Sequence, residues 1–256
     1  MNGYTTFKQL HHHDDPLLIG NVWDAPSAAA YEQNGFKAIA TSSAAIAHML
    51  GYDDGEGMSF DELLFIVKRI ASVTSIPFSV DIEGGYSRDH TTIIENIEKL
   101  HELGIVGINI EDTIVVNGKR EFLATADFKG TIEIFKSQLR QKNIDIFLNA
   151  RTDAFLMGIA NPLPETITRM KAYEEAGADG IFVPCVTATA DIQQLVNTTK
   201  LPLNVLCMPD LPDFKTLKDL GVKRISSGNA LHDYQTKSLN SIIKQIRSDQ
   251  SFSSLN

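Results

Sequence analysis

Cysteine is scarce in this 256-residue chain. There are two, Cys185 and Cys207, and their spacing matches neither a disulfide framework nor a zinc knuckle. Long apolar runs are missing as well: none approaches the ~20 residues that a bilayer-spanning helix requires. The opening MNGYTTFKQLHHHDDP has no apolar secretory core, so the expected setting is cytoplasmic, with no membrane partner. Positive charge is also short. With 23 Lys and Arg against 32 Asp and Glu, a net charge of −9, the chain offers no basic surface for nucleic acid. Small anions are not excluded, because one arginine or a bound metal reverses the field inside a single pocket.

Apolar residues, at 43%, suffice for a substantial core. They recur as eight short runs: LLIGN (17–21), KAIATS (37–42), PFSVDI (77–82), VGINIE (106–111), DIFLNA (145–150), GIFVPC (180–185), PLNVLC (202–207) and KRISSG (223–228). Most are continuously apolar, as suits parallel strands covered on both faces. Between them lie segments of helical period. In SFDELLFIVKRIASVT, Leu63, Ile66, Val67 and Ile70 share one face. Helix, glycine and strand alternate through the chain. The spacing therefore predicts an α/β fold, a (β/α)8 TIM barrel forming one domain over residues 1–256. A dinucleotide fold is disfavoured, since GNVWDAPS replaces a Gly-rich phosphate fingerprint after the first run.

In such a barrel the chemistry sits where strands end. DIEGGYS puts Asp81 and Glu83 one residue apart, just past a run expected to be buried. Neighbouring anions leave water only with a cation or protons to offset the cost. Asp54, Asp81, Glu83 and Glu111 would converge there as oxygen ligands suited to Mg2+ or Mn2+. Arg151 supplies a fork for a substrate carboxylate or phosphonate. Trp23 and Tyr86 are expected to line the pocket. His232, after the eighth run, is a candidate proton donor. His11, His12 and His13 precede the first strand, so a surface helix end at the opposite side of the barrel is expected for them.

DIEGGYS, NIEDT and NARTDAF together resemble the isocitrate lyase and phosphoenolpyruvate mutase superfamily, over nearly the whole chain from FKQLHHHDDPLLIGNVWDAPSA to RISSGNAL. The resemblance implies a Mg2+-dependent barrel acting on small carboxylates or their phosphono analogues. It also implies a homo-oligomer, a dimer or tetramer, in which subunits exchange the last barrel helix; Leu239, Ile242, Ile243 and Ile246 give that helix an apolar side. By resemblance Asp81 binds the metal directly, Asp54, Glu83 and Glu111 hold it through water, and Arg151 binds the substrate carboxylate. Ser42, Ser43 and Ala44 would offer backbone N–H groups to a substrate oxygen.

One motif departs. Where the lyases carry K-[KR]-C-G-H, this chain has TIVVNGKREFLATADF at 113–128, with Glu121 in place of the thiol. The mutases use a Lys and an Asn in that loop; Asn117 and Lys119 offer those types in reverse order. The expected function is a Mg2+-dependent lyase or mutase of a small 2-oxo acid or phosphono-carboxylate, working through a pyruvate-enolate-like intermediate. The alternatives are a catalytically silent barrel that binds metal and carboxylate, and an enzyme of phosphonopyruvate hydrolase or oxaloacetate decarboxylase type.

Overall fold

A computed structural model describes residues 3–255. Eight parallel strands close a barrel: β1 (Leu17–Val22), β2 (Ile39–Thr41), β3 (Phe78–Asp81), β4 (Gly107–Glu111), β7 (Phe147–Arg151), β8 (Gly180–Val183), β9 (Leu203–Leu206) and β10 (Arg224–Ser226). Closure comes from β1 pairing with both β2 and β10, Leu17 opposite Arg224. All eight expected runs are strands. The stretch expected to be a loop contains two more, β5 (Thr113–Val116) and β6 (Lys119–Phe122), joined as an antiparallel hairpin. Its turn is Asn117-Gly118, both left-handed (φ 51° and 74°), a sequence pair that favours two-residue hairpin turns.

Helices α2 (Ala25–Gln33), α3 (Ser43–Leu50), α4 (Phe60–Ala71), α5 (His90–Glu102), α6 (Thr125–Gln141), α7 (Pro162–Glu175), α8 (Thr189–Thr198) and α9 (Phe214–Asp219) follow the strands. Their starts are written in the sequence. Ser59 and Glu62 cap α4 reciprocally, and Leu63, Val67 and Ile70 then bury one stripe against the sheet. Asp89 caps α5, whose Ile93, Ile94, Ile97 and Leu100 do the same. The last helix, α10 (Ala230–Asp249), differs from these in burying none of its side chains.

The lower end of the barrel is closed by α1 (Gly3–Leu10), which inserts Phe7 beneath Phe147, edge to face at 5.5 Å. His11 joins this plug, contrary to the expectation of a surface position. Its ring stacks on Phe147 at 4.3 Å and its Nδ1 lies 2.8 Å from the Phe7 carbonyl, leaving it 1% exposed. His11 lies one position past α1, and its ring packs in the barrel mouth between Phe7 and Phe147. His12 and His13 remain exposed. Above the plug lies a polar layer in which Asn149 donates to Asn109 (2.9 Å) and Asn204 (3.2 Å), and Arg224 donates to Asn109 (3.4 Å).

Candidate active site

Three acids meet at the upper rim because strand register brings them there. Asp81 ends β3 opposite Asn109, and Glu111 ends β4 opposite Arg151 at the end of β7. Glu83 follows Asp81 after a turn in which Glu83 (φ 50°) and Tyr86 (φ 59°) adopt left-handed backbone rarely taken by non-glycine residues. Gly85 (φ 102°) completes the turn, and a Cβ there would meet Ile93 at 2.8 Å. Such strain persists only where the surroundings enforce it, and it concentrates at functional sites.

Each acid is held by neighbours. Asp81 accepts a hydrogen bond from Ser43 Oγ (3.0 Å), while its own backbone N–H donates to Thr41 Oγ1 (2.7 Å). Glu83 accepts from the Tyr86 hydroxyl (2.8 Å) and the Glu56 backbone N–H (2.6 Å). Glu111 pairs with Arg151 through Oε2 (2.9 Å) and with Arg120 through Oε1. Asp54 is the outermost, 41% exposed, within 3.5 Å of both Ser43 Oγ and Arg120. Ser43 thus bridges Asp54 and Asp81, and Arg120 bridges Asp54 and Glu111, along one rim.

Burial controls their chemistry. It raises the Asp81 carboxyl above the usual range, opposed mainly by Arg151. Glu83 is pushed up to about 7, first by burial and then by the charges of Asp54 and Asp81. Glu111 is pushed to about 8 by burial, again opposed by Arg151. Buried carboxylates crowded at one rim, offering only oxygen donors, form a set that fits a hard dication such as Mg2+ or Mn2+. Asp81, Glu83, Glu111 and Asp54 are the residues that would hold it.

Arg151 is clamped by Asp153, which accepts from Nε (2.6 Å) and Nη2 (3.1 Å) and is fully buried. Burial works to lower the Arg151 pKa, but Glu111, Asp153 and Asp81 outweigh it and keep the guanidinium charged. Nothing in NARTD marks Asp153 for a role; its pairing with Arg151 two residues earlier gives it one.

The hairpin contributes an arginine for which the sequence motifs give no role. Arg120 bonds Thr113 Oγ1 (2.8 Å), Asp153 (3.2 Å) and Glu111 together. Lys119 and Asn117, expected to act here, stand exposed at the hairpin tip instead. The cause is strand alternation: residues 119 and 121 face out while 120 and 122 face in.

Helix α3 points its first turn at the site. Ser42 caps it, accepting from the Ala45 N–H (3.3 Å), while its own N–H bonds the Val22 carbonyl (3.0 Å). The N–H groups available to a ligand are therefore those of Ser43 and Ala44, which a first helical turn leaves without carbonyl partners. Trp23 is buried just past β1, and its ring meets His232 edge-on at 5.3 Å. Tyr86 packs toward Phe60 at 6.0 Å and reaches the site through its hydroxyl. His232 itself faces Trp23, His48 and Asp233.

Comparison with known proteins agrees with this architecture. A family model described as phosphoenolpyruvate phosphomutase matches residues 7–247. An uncharacterized protein of Mycobacterium tuberculosis (strain ATCC 25618 / H37Rv) is 33% identical over 224 residues, 88% of this chain and 82% of that one. The oxaloacetate decarboxylase of Paraburkholderia xenovorans (strain LB400) is 26% identical, over 94% of this chain and 81% of its own length. Among solved structures, a Burkholderia cenocepacia J2315 protein superposes with a TM-score of 0.88 at 32% identity, covering 95% of this chain and 98% of that chain. Phosphonopyruvate hydrolase, in a complex with oxalate and Mg2+, shares the fold with a TM-score of 0.88 at 22% identity, covering 100% of this chain and 90% of that chain. The chain belongs to the phosphoenolpyruvate phosphomutase family, within the superfamily that also contains the isocitrate lyases, and is an enzyme of lyase or mutase type.

Proposed function

We propose that the protein is a Mg2+- or Mn2+-dependent enzyme that cleaves or forms a C–C or C–P bond in a small 2-oxo acid or phosphono-carboxylate. The observation that carries this reading is the buried group Asp81, Glu83 and Glu111 facing a charged, doubly clamped Arg151. Breaking a bond beside a keto group leaves its electron pair on a pyruvate-enolate-like fragment. Asp54, Asp81, Glu83 and Glu111 would hold the dication, which would supply electrostatic stabilisation of that developing charge. The chain does the rest. Arg151, aimed by Asp153, takes the substrate carboxylate in a fork, and the Ser43 and Ala44 N–H groups face an oxygen of the same ligand. Ser43 Oγ and Thr41 Oγ1 fix Asp81, so the cradle needs little reorganisation when charge appears.

Support for the substrate class comes from the oxaloacetate decarboxylases among the relatives and from the complex of phosphonopyruvate hydrolase with oxalate and Mg2+. Glu121 in place of the lyase thiol argues against isocitrate and 2-methylisocitrate. The test is turnover of oxaloacetate, phosphonopyruvate and 2-methylisocitrate with Mg2+ or Mn2+, and after chelation. Metal-dependent loss of oxaloacetate or phosphonopyruvate, at least about 100-fold slower in Asp81→Asn, is expected. No turnover of any of the three with metal in excess, or full activity in chelator, overturns it.

A further inference from the structure

We propose that His48, His232 and Asp233 form a second metal site, for a transition-metal dication of the Zn2+ class, built from side chains outside the carboxylate ring. One nitrogen from each imidazole and one Asp233 oxygen lie within 4.8 Å of one another. A four-coordinate ion with bonds of about 2.0–2.2 Å needs its ligand atoms about 3.3 Å apart. His232 Nδ1 and Asp233 Oδ1 are 3.6 Å apart, too long for a hydrogen bond and close to a ligand-to-ligand separation. His232 Nδ1 is buried with no hydrogen-bond partner, a costly state that ligation would relieve.

The surroundings are those of a metal centre. Asn229 Nδ2 donates to Asp233 Oδ2 (2.9 Å), which turns the other oxygen toward His232 in the manner of the outer partners that orient metal ligands. His48 is exposed in the last turn of α3, with its ring centroid 6.1 Å from that of His232. Two imidazoles and one carboxylate leave a fourth position for water, and nitrogen donors select Zn2+, Co2+ or Ni2+ over Mg2+. Such an ion ties the last turn of α3 to the first turn of α10. Helix α10 has no buried side chain of its own, so its direction depends on how that first turn is held.

The site is independent of the proposed catalytic function, and the test separates them. Tag-free protein is stripped with chelator, returned to excess Mg2+, and titrated with Zn2+ calorimetrically; Co2+ is added in parallel and its visible absorption recorded. One tight Zn2+ equivalent per chain is expected, together with the Co2+ spectrum of a low-coordinate nitrogen site. Asp81→Asn and the His12→Gln/His13→Gln pair retain both signals. His48→Gln, Asp233→Asn and Asn229→Ala each weaken Zn2+ by about tenfold or more. Absence of a stoichiometric Zn2+ site, or one indifferent to His48→Gln and Asp233→Asn, overturns the proposal.

Discussion

Arg120 brings a single guanidinium against Glu111, Asp153 and Asp54, two of which are candidate metal ligands. A fixed cation beside them repels a dication and competes for the same oxygens. Unit charges 4 Å apart interact by about 4 kcal/mol at an effective dielectric of 20, and partial exposure reduces that. Arg120→Gln is therefore expected to bind Mn2+ about tenfold more tightly, equivalent to about 1.4 kcal/mol, as read by calorimetry. Unchanged or weaker binding would mean that the guanidinium stands clear of those acids once metal enters. The neighbouring pair Glu111 and Asp112 shows what a residue-level reading misses. Both are acids in IEDT, yet Glu111 faces the rim, whereas Asp112 is fully buried against Arg169 (3.0 Å) and the Tyr173 hydroxyl (2.8 Å) of α7. Identical chemistry in the sequence thus serves the site in one case and the scaffold in the other, and only the direction of each side chain separates them. Asp112→Asn leaves the buried Arg169 with only the partly exposed Glu165 (2.7 Å) as counter-charge and should cost about 3 kcal/mol in urea unfolding. A loss below about 1 kcal/mol would show that water reaches Arg169.

At the scale of elements, the eight barrel strands were legible because both faces are buried, which forces continuous apolar runs that few loops share. The hairpin was not read, although its Asn-Gly turn was visible, because its strands are short and carry alternating half-exposed residues. His11 is hidden in the sequence for a different reason: three consecutive histidines look polar, and only the barrel mouth reveals that one of them is a core residue. Burial, with Arg224 nearby, pushes His11 down to about 3. The folded state therefore resists a proton that the unfolded chain accepts near 6.5, so stability is full above that pH and falls as the medium is acidified toward 3. Between pH 7 and pH 5 the loss from this one group is about 2 kcal/mol. Chemical denaturation of His11→Gln at both values should show a smaller acid loss than the parent by that amount. An equal loss in both proteins would mean that His11 is protonated without opening the plug.

For the whole molecule, the strand-and-helix grammar sufficed to give a closed barrel, since eight parallel strands with intervening helices have few other ways to hide every edge. What the grammar leaves open is the destination of α10. Leu239 and Ile243 are 56% and 52% exposed, and α10, which meets the core through His232 against Trp23 in its first turn, buries no side chain of its own. Beside its start runs a groove of about 550 Å3 lined by Trp23, Pro26, Ala30, Tyr31 and Leu231, next to α2. We propose that the chain forms a dimer or tetramer in which the apolar side of α10 packs on a second copy. The argument is one of area: a 20-residue helix with two half-exposed branched apolar residues on one side gains roughly 25 cal/mol for each Å2 it hides. Light scattering on the eluting protein should give a mass of two or four chains, and Leu239→Glu with Ile243→Glu should lower it while leaving far-UV helicity nearly intact. A monomeric parent, or a double variant with unchanged mass, would show that α10 stands free of any partner and that its apolar side is left to solvent.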